Sequence, residues 1–340
     1  MQKLLTIVVP VYKVEPYINK CLDSCLIYKT NEQGREVLDE ELMNQLEVII
    51  VNDGTPDNSA EMSREYVKRY PQTFRQIDKE NGGHGSAWNV GLKEATGKYL
   101  RFLDSDDWLT NLDKLITKLL ETDVDLAFTD ECVHHIDEGW EEPQKCSFVY
   151  DRFLSIDNVQ ISNILTDFSS LNFRKCTYRT VLLQSQYPLF REHISYDDTI
   201  LFVAPYLYAK TLIAFDFVVY NLLRGRDEQS MNPFVLHTKA EQYVQVYLDL
   251  CSFVNNNSFL SNVQDYLYFV ECSIYGFCFS IVTNLGYKRR KKLVNILVKN
   301  QPVLKLYNKR IRRYMKLPYV IAYSYDGLRN LRKMFLGNNK

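Results

Sequence analysis

Three carboxylates stand within four residues after one mostly apolar segment: Asp104, Asp106 and Asp107 follow the run Tyr99–Leu103. Ligands of open α/β sheets bind outside the carboxyl ends of the strands. Carboxylates crowded at such a place repel one another unless a cation lies among them, and a hard divalent ion that also binds phosphate oxygens suits them. Asp104 and Asp106 therefore predict a Mn²⁺ or Mg²⁺ site for a diphosphate. The alternative is an acidic turn in which Asp106 or Asp107 caps the next helix.

Three further loops carry residues that could bind the rest of such a ligand. Pro10 and Tyr12 end the first apolar run, Asp53 follows the second, and the glycine-rich segment Asn81–Gly85 opens a predicted helix. The carboxyl ends of parallel strands lie along one edge of a sheet, so we expect the four loops to meet there. That edge would offer an apolar wall, a carboxylate for a ribose hydroxyl or a pyrimidine N–H, and a helix N-terminus for phosphate. The set suits a nucleoside diphosphate.

The elements that position these loops alternate between apolar strands and amphipathic helices. This alternation predicts an α/β fold with a mostly parallel sheet flanked by helices. The predicted strands are Leu4–Val11, Leu46–Asn52, Arg75–Asp78, a strand entering Asp104, and Val124–Thr129, with a strand pair in Thr211–Tyr220. The predicted helices are Glu15–Tyr28, Asp57–Tyr70, Ser86–Ala95, Asn111–Glu121 and Asp197–Ala209, followed by Thr238–Asn255, Phe259–Asn284, Lys288–Asn300 and Val303–Met315.

Four segments, taken in order, resemble the family 2 glycosyltransferases. They are Ile7–Tyr12, Ile49–Thr55, Asn81–Gly91 and Leu103–Trp108. The resemblance is close over about residues 4–130 and looser to about 232. It implies the Rossmann-like GT-A fold and an inverting enzyme that transfers a sugar from a nucleotide-sugar, a UDP-sugar in the first instance. The acceptor would be a hydroxyl group of a glycan, a lipid-linked sugar or a protein.

The same resemblance implies a division of the chain. Residues 1–106 would form the nucleotide-sugar half of the catalytic domain, and 107–232 its acceptor half. The helical pattern and the basic charge of the remaining chain predict a separate C-terminal region, 233–340.

The resemblance also assigns roles to single residues. Pro10 and Tyr12 would form the wall of the base pocket, and Asp53 would contact the uracil or the ribose. Asp104 would hold the ribose or a metal-bound water and contribute to the metal site, while Asp106 would ligate the divalent cation, Mn²⁺ or Mg²⁺. Gly83 and Ser105 lie in the same loops and are included among the predicted donor-binding residues.

Three further side chains are donor-binding candidates, each with an alternative. His84 in the glycine-rich loop could donate to a phosphate or a sugar hydroxyl, or it could be structural. Arg224 or Arg226 resembles the cationic segment that closes over the diphosphate in many members. The alternative for both arginines is a solvent-facing basic loop. Trp88 departs from the family, because many members carry Arg at this position.

The family's catalytic base is the second acid of a pair that follows the metal motif. Asp197 and Asp198 form the matching pair, which makes Asp198 the candidate base. Such a base removes a proton from the acceptor hydroxyl as that hydroxyl attacks the anomeric carbon. The alternative is that the pair only caps the helix predicted to follow it.

Composition indicates the cellular compartment in which the protein works. The 340 residues include eight Cys without zinc-ligand spacing to His, which predicts reduced thiols in a cytosolic protein. We expect neither a signal peptide nor a run of the roughly 20 apolar residues that span a membrane.

The charge is unevenly distributed. Residues 284–340 hold 16 Lys and Arg against one acid, whereas residues 1–283 hold 25 against 41 acids. Basic residues interleaved with apolar and aromatic ones favour an anionic membrane surface as partner, at the inner face of the cell membrane. Nucleic acid is not expected, because no nucleic-acid-binding motif accompanies the charge. The alternatives are a solvated face and an oligomer contact.

Two other functions remain open on the sequence. A sugar-nucleotide nucleotidyltransferase would share the fold class, but it needs a glycine-rich, basic loop after the first strand, where Pro10-Val11-Tyr12 stands. A non-catalytic nucleotide- or carbohydrate-binding module would not need both Asp106 and Asp198.

Overall fold

A computed structural model describes residues 2–136, 139–146, 149–156, 172–226, 229–230 and 232–300. Its strands are β1 Leu5–Val11, β2 Tyr28–Thr30, β3 Glu36–Leu38, β4 Leu46–Asn52, β5 Phe74–Asp78, β6 Tyr99–Phe102, β7 Trp108–Leu109, β8 Leu126–His135, β9 Trp140–Gln144, β10 Leu154–Ser155, β11 Cys176–Arg179 and β12 Thr211–Arg224. Its α-helices are α1 Ile18–Asp23, α2 Glu40–Gln45, α3 Ser59–Arg69, α4 His84–Glu94, α5 Leu112–Glu121, α6 Thr180–Gln184, α7 Pro233–Thr238, α8 Ala240–Asn256, α9 Gln264–Thr283 and α10 Tyr287–Lys299.

The first half of the main sheet is parallel. Its strands run in the order β6-β1-β4-β5, with Leu5 opposite both Leu46 and Tyr99. Every residue of β1 and β4 is buried, because helices cover both faces of a parallel sheet and its strands are apolar throughout. The predicted α/β fold is confirmed, and the loops after β1, β4, β5 and β6 leave the same edge of the sheet.

The second half of the sheet is mixed. The order continues as β6-β11-β8-β12-β10, in which β11 is antiparallel to both of its neighbours and β12 is parallel to β8. The strand pair predicted in Thr211–Tyr220 is wrong, since β12 is one strand that continues to Arg224. Two register shifts near Val218 bend it, so that its far end lies beside the loop after β6.

The predicted helix Asp197–Ala209 is also wrong in type. This segment forms two short 3₁₀ turns, Asp197–Phe202 and Ala204–Leu207, and Pro205 lies at the start of the second. Pro lacks the N–H that a continuous α-helix would need at this point, so the helix cannot run through it. The segment between α1 and β4 forms the β2–β3 hairpin and α2.

The C-terminal helices α8, α9 and α10 confirm three of the four predicted there, and Val303–Met315 lies outside the described residues. Within α9, the 18 residues Tyr266–Thr283 have a mean hydropathy of 1.4, and 53% of this stretch is buried inside the protein. By length and composition alone, this helix could cross a membrane. The half-buried core helices of soluble proteins meet the same criteria.

Candidate active site

The carboxylate of Asp53 holds the glycine-rich loop at the edge of the sheet. Asp53 follows β4 and is almost fully buried, and it accepts hydrogen bonds from the backbone N–H groups of Gly82 and Gly83, both at 2.9 Å. The ammonium group of Lys79 lies 2.6 Å from the same carboxylate. Asp53 is thus the anion at the N-terminus of α4, where the helix dipole favours negative charge. Because the N–H groups of Gly82 and Gly83 already donate to Asp53, a donor phosphate would have to bind other N–H groups of the loop.

The glycines of this loop are required by close contacts. Gly83 has φ +87°, a left-handed conformation that side chains rarely adopt. A Cβ atom at Gly85 would lie 2.6 Å from the carbonyl oxygen of Arg191 and 2.7 Å from a carboxylate oxygen of Asp197. The loop therefore packs directly against the segment that carries the acid pair.

His84, the first residue of α4, connects that acid pair to the metal motif. Its Nε2 lies 3.0 Å from Oδ1 of Asp104, and its Nδ1 lies 3.3 Å from both carboxylate oxygens of Asp197. Burial lowers the pKa of His84, but the negative charge of Asp197 and the hydrogen bond to Asp104 outweigh it. The net pKa is raised well above 6.5, which favours an imidazolium that donates to both carboxylates.

Asp106 already contacts a cation. Its carboxylate forms an ion pair with the guanidinium group of Arg226, which also lies over the ring of Tyr17, 4.8 Å from its centroid. The structure thus brings one of the two candidate arginines to the metal motif. Arg224 ends β12 with an exposed side chain, and no contact with these carboxylates was found for it in the described part of the chain.

The third acid of the motif, Asp107, has a structural role. It is buried, accepts the hydroxyl of Tyr220 at 2.6 Å and accepts the backbone N–H of Leu223 at 2.8 Å. Burial, followed by the charge of Asp104, raises its pKa to about 8. Asp107 therefore fastens the end of β12, and with it the Arg226 segment, to the loop after β6.

The acid pair lies at the start of a 3₁₀ turn, but neither member is its capping residue. Tyr196 occupies that position in a left-handed conformation, without a side-chain capping hydrogen bond. Asp197 is buried against His84, while Asp198 remains partly exposed. Burial and the charge of Asp197 raise the pKa of Asp198 to about 6. A partly exposed acid whose pKa is raised toward neutrality suits a general base.

The remaining predicted residues lie where their strands end. Pro10 is buried within β1, and Tyr12 follows it with 44% of its surface exposed. Ser105 is buried between the two acids of the metal motif. Trp88, in place of the family's Arg, is fully buried, and its ring centroid lies 4.2 Å from that of His84 and 4.3 Å from that of Phe102.

The donor set fits a hard divalent cation. Asp104 and Asp106 offer partly exposed carboxylate oxygens after β6, and Asp106 shows its affinity for positive charge in the Arg226 ion pair. Mg²⁺ is commonly bound by one or two carboxylates together with substrate phosphates, so two acids suffice. To bind the ion, Asp106 would give up its ion pair with Arg226.

Sequence reasoning missed two residues of this site. Lys79 directly follows β5, which is a position at the ligand edge that could have been noticed. Tyr220 was not predictable, because its hydroxyl reaches the N–H of Asp104 at 3.2 Å only through the bend of β12.

Comparison with known proteins decides the family. The sequence model described as "Glycosyl transferase family 2" matches residues 6–175, which contain the four loops. The chain belongs to glycosyltransferase family 2. Among curated relatives, this family 2 chain is 29% identical over 243 residues to the uncharacterized glycosyltransferase YibD of Escherichia coli K12, covering 69% of this chain and 62% of YibD. It is 29% identical to a teichoic acid poly(glycerol phosphate) polymerase of Staphylococcus epidermidis, covering 70% of this chain and 30% of the polymerase.

The chain spans less than two thirds of the curated relatives that it matches; it covers 28% of the uncharacterized glycosyltransferase EpsJ of Bacillus subtilis, at 40% identity over 33% of this chain.

Solved structures show the same fold. The S. aureus TarS 1–349 complex with UDP-GlcNAc superposes with a TM-score of 0.60 at 18% identity, covering 86% of this chain and 79% of that one. The mannosyltransferase PcManGT of Pyrobaculum calidifontis, in complex with GDP-Man and Mn²⁺, gives a TM-score of 0.50 at 15% identity, covering 97% and 88%. The predicted GT-A architecture of this family 2 glycosyltransferase is therefore confirmed.

Proposed function

We propose that this protein is an inverting glycosyltransferase that moves a sugar from a nucleotide-sugar, a UDP-sugar in the first instance, to a hydroxyl group of a glycan, a lipid-linked sugar or a protein. The observation that carries the proposal is the chain of contacts Asp104–His84–Asp197. It joins the loop that suits a metal-bound diphosphate to the acid pair that suits a catalytic base.

Ligands of the fold neighbours support the donor class. The TarS structure contains UDP-GlcNAc, and the PcManGT structure contains GDP-Man and Mn²⁺. The relative named as a teichoic acid poly(glycerol phosphate) polymerase supports a polymer of the teichoic acid type as the acceptor. The four loops of this chain offer the groups that such a donor needs: Tyr12 is exposed after β1, and Asp53 anchors the glycine-rich loop.

The proposed chemistry is a single displacement. Asp198, with its pKa of about 6, is mostly deprotonated at pH 7 yet basic enough to take the proton of the acceptor hydroxyl. That hydroxyl attacks the anomeric carbon on the face opposite the nucleotide, so the anomeric configuration inverts. Such a base contributes about 10²–10⁴ in rate.

The departing diphosphate needs positive charge. Asp106, with Asp104, would hold a divalent cation, Mn²⁺ or Mg²⁺, which stabilises the negative charge that develops on the leaving group. Arg226, released from Asp106, lies within reach of the same loop and would add a second cationic group. The imidazolium of His84 keeps Asp104 and Asp197 in place while both loops carry negative charge.

The test is a panel of nucleotide-sugars, assayed for nucleoside diphosphate release with a divalent cation and with a chelator. We expect cation-dependent release from one donor class, accelerated by the acceptor. Production of a nucleotide-sugar from a nucleoside triphosphate and a sugar phosphate would establish the nucleotidyltransferase instead. Donor binding without turnover, under any acceptor tested, would indicate the binding module.

We also propose attachment of the basic C-terminal region to an anionic membrane, on the cytoplasmic side. Supporting it, α10 buries Leu293 and Leu297 and leaves Lys288, Lys291 and Lys292 exposed. Arg289 is not free for lipid, because it forms an ion pair with Glu241 of α8.

A further inference from the structure

Three metal-ligand side chains meet on the β8–β9 hairpin, and none of them belongs to the group of aspartates after β6. One ligand atom each from Cys132, His134 and Glu141 lies within 4.8 Å of the other two. Cys132 and His134 are two residues apart on β8 and share a face, and His134 stands directly opposite Glu141 of β9. Within the described residues, no other group of three His, Cys, Asp or Glu meets this spacing.

Hydrogen bonds around His134 determine which of its nitrogens carries a hydrogen. The amide nitrogen of Asn221 donates to Thr110 Oγ1 at 3.1 Å, which leaves its Oδ1 facing Nε2 of His134 at 2.9 Å. Oδ1 can only accept, so Nε2 must donate. The other ring nitrogen, Nδ1, lies 3.0 Å from a carboxylate oxygen of Glu141. In a neutral imidazole two lone pairs would face each other there, which requires a proton or a metal ion between them.

We propose that Cys132, His134 and Glu141 bind Zn²⁺, with the fourth position open to water. One sulfur, one imidazole nitrogen and one carboxylate oxygen form a donor set that Zn²⁺ accepts. With bond lengths of about 2.0–2.3 Å, tetrahedral ligand atoms stand roughly 3.3–3.7 Å apart, a separation that small side-chain adjustments reach here. Asn221 supplies the hydrogen bond that orients a metal-binding His through its other nitrogen.

The surroundings allow an ion to enter and give it a structural consequence. Glu141 is 67% exposed and Cys132 is buried, so the ion would approach from the solvent side of β9. Lys20 is the competing positive charge, since it interacts with Glu141 while its ammonium lies 2.9 Å from the ring centroid of Trp108. Zinc would fasten the exposed strand β9 to β8.

This site would also adjoin the candidate active site. The ring of His134 lies 4.4 Å from that of Trp108, which directly follows Asp107. The sequence spacing did not show the cluster, because the third ligand comes from the far side of a hairpin. The expectation that no zinc-type group exists among the cysteines and histidines is thus replaced by a specific proposal.

The experiment is metal titration of the full chain after removal of bound metal with a chelator. Zn²⁺ affinity is measured against a chromogenic chelator, and Co²⁺ is used as a spectroscopic probe. We expect one Zn²⁺ per chain and a thiolate-to-Co²⁺ charge-transfer band. Glu141→Gln and Cys132→Ser should weaken Zn²⁺ by more than the roughly 10–100-fold that loss of a supporting hydrogen bond costs. The Co²⁺ band should disappear in Cys132→Ser.

Glu142→Gln is the matched control, since it makes the same change one residue along β9, on the opposite face. It should bind Zn²⁺ like the wild type. Because an ion that binds only the folded chain stabilises it, Zn²⁺ should raise the melting temperature of this variant and of the wild type by the same amount. Asp106→Asn should retain this zinc, which separates the site from the proposed catalytic cation. Equal Zn²⁺ affinity in Glu141→Gln and Glu142→Gln, or no thiolate band in the wild type, would overturn the proposal and leave a His134–Glu141 ion pair.

Discussion

Nε2 of His84 lies 3.0 Å from Oδ1 of Asp104, and this contact joins the start of α4 to the loop after β6. The other ring nitrogen contacts Asp197, which lies 113 residues further along the chain. One imidazole thus bridges two loops that would otherwise repel each other through their acids. The first prediction concerns its charge.

His84 should be protonated at neutral pH. Burial lowers its pKa, but the charge of Asp197 and the hydrogen bond to Asp104 raise it further, to well above 6.5. Its contribution to stability is therefore complete below about pH 6.5, the unfolded value, and is lost as pH rises through the folded value. Ring NMR titration should show the shift, and Asp197→Asn should lower the pKa. An unshifted pKa in the wild type would contradict the imidazolium.

Asp198→Asn should retain nucleotide affinity and lose transfer by about 10²–10⁴-fold, because the amide preserves shape but cannot accept the proton. In the wild type, kcat/KM should fall as pH drops through about 6, since protonation removes the base. Asp197→Asn is the comparison and should be milder. Titration calorimetry with the nucleotide and a pH–rate profile measure both effects. If Asp198→Asn and Asp197→Asn weaken donor binding equally, Asp198 belongs to the donor pocket.

Asp106→Ala should reduce cation-dependent turnover by about 100-fold or more, because a group that stabilises the leaving-group charge is lost. The fold should survive, since Asp106 lies in a partly exposed loop. Asp113→Ala, an exposed acid in the first turn of α5, is the control and should behave like the wild type. Nucleotide release, measured with Mn²⁺, Mg²⁺ or a chelator, tests this. Near-normal activity of Asp106→Ala in the presence of a chelator would contradict the proposed metal site.

Asp53→Ala should weaken the nucleotide about tenfold to a hundredfold, as expected for roughly 1–3 kcal/mol from a lost buried hydrogen bond. The structure adds a second effect: the N–H groups of Gly82 and Gly83 and the ammonium of Lys79 lose their acceptor, so the melting temperature should fall too. Affinity for free UDP and thermal unfolding separate the two effects. A change in kcat alone, with unaltered UDP affinity, would contradict this placement.

The basic region should bind anionic vesicles in a salt-sensitive manner. Each Lys or Arg near such a surface contributes about 1 kcal/mol and is screened within a Debye length. Replacing Lys288, Lys291 and Lys292 by Glu should release the protein and leave donor hydrolysis intact. Arg289 is left unchanged to preserve its ion pair with Glu241. Co-sedimentation with anionic and neutral vesicles at two salt concentrations is the measurement. Equal binding to both, or to neither, would favour a solvated face or an oligomer contact.

The sequence by itself determined the parallel half of the sheet, the resemblance to the family and the meeting of four loops at one edge. Apolar strands such as Leu5–Val11 and Leu46–Asn52 are buried on both faces, so local composition alone marks them, and parallel pairing then brings the residues after them to one edge. Asp53, Gly83 and Asp104 could therefore be assigned to one site before any contact was known.

Only the tertiary structure decided what those residues do to one another. Packing of α4 against the first 3₁₀ turn brings His84 to Asp197. The bend of β12 brings Arg226 to Asp106. Strand pairing places Glu141 and Asn221 on either side of His134. The capping role considered for Asp197 and Asp198 failed because Tyr196 occupies the capping position of the 3₁₀ turn that replaces the predicted helix. Periodicity reports burial along one segment, whereas a pKa or a ligand set depends on charges from several segments, whose distances only the folded chain defines.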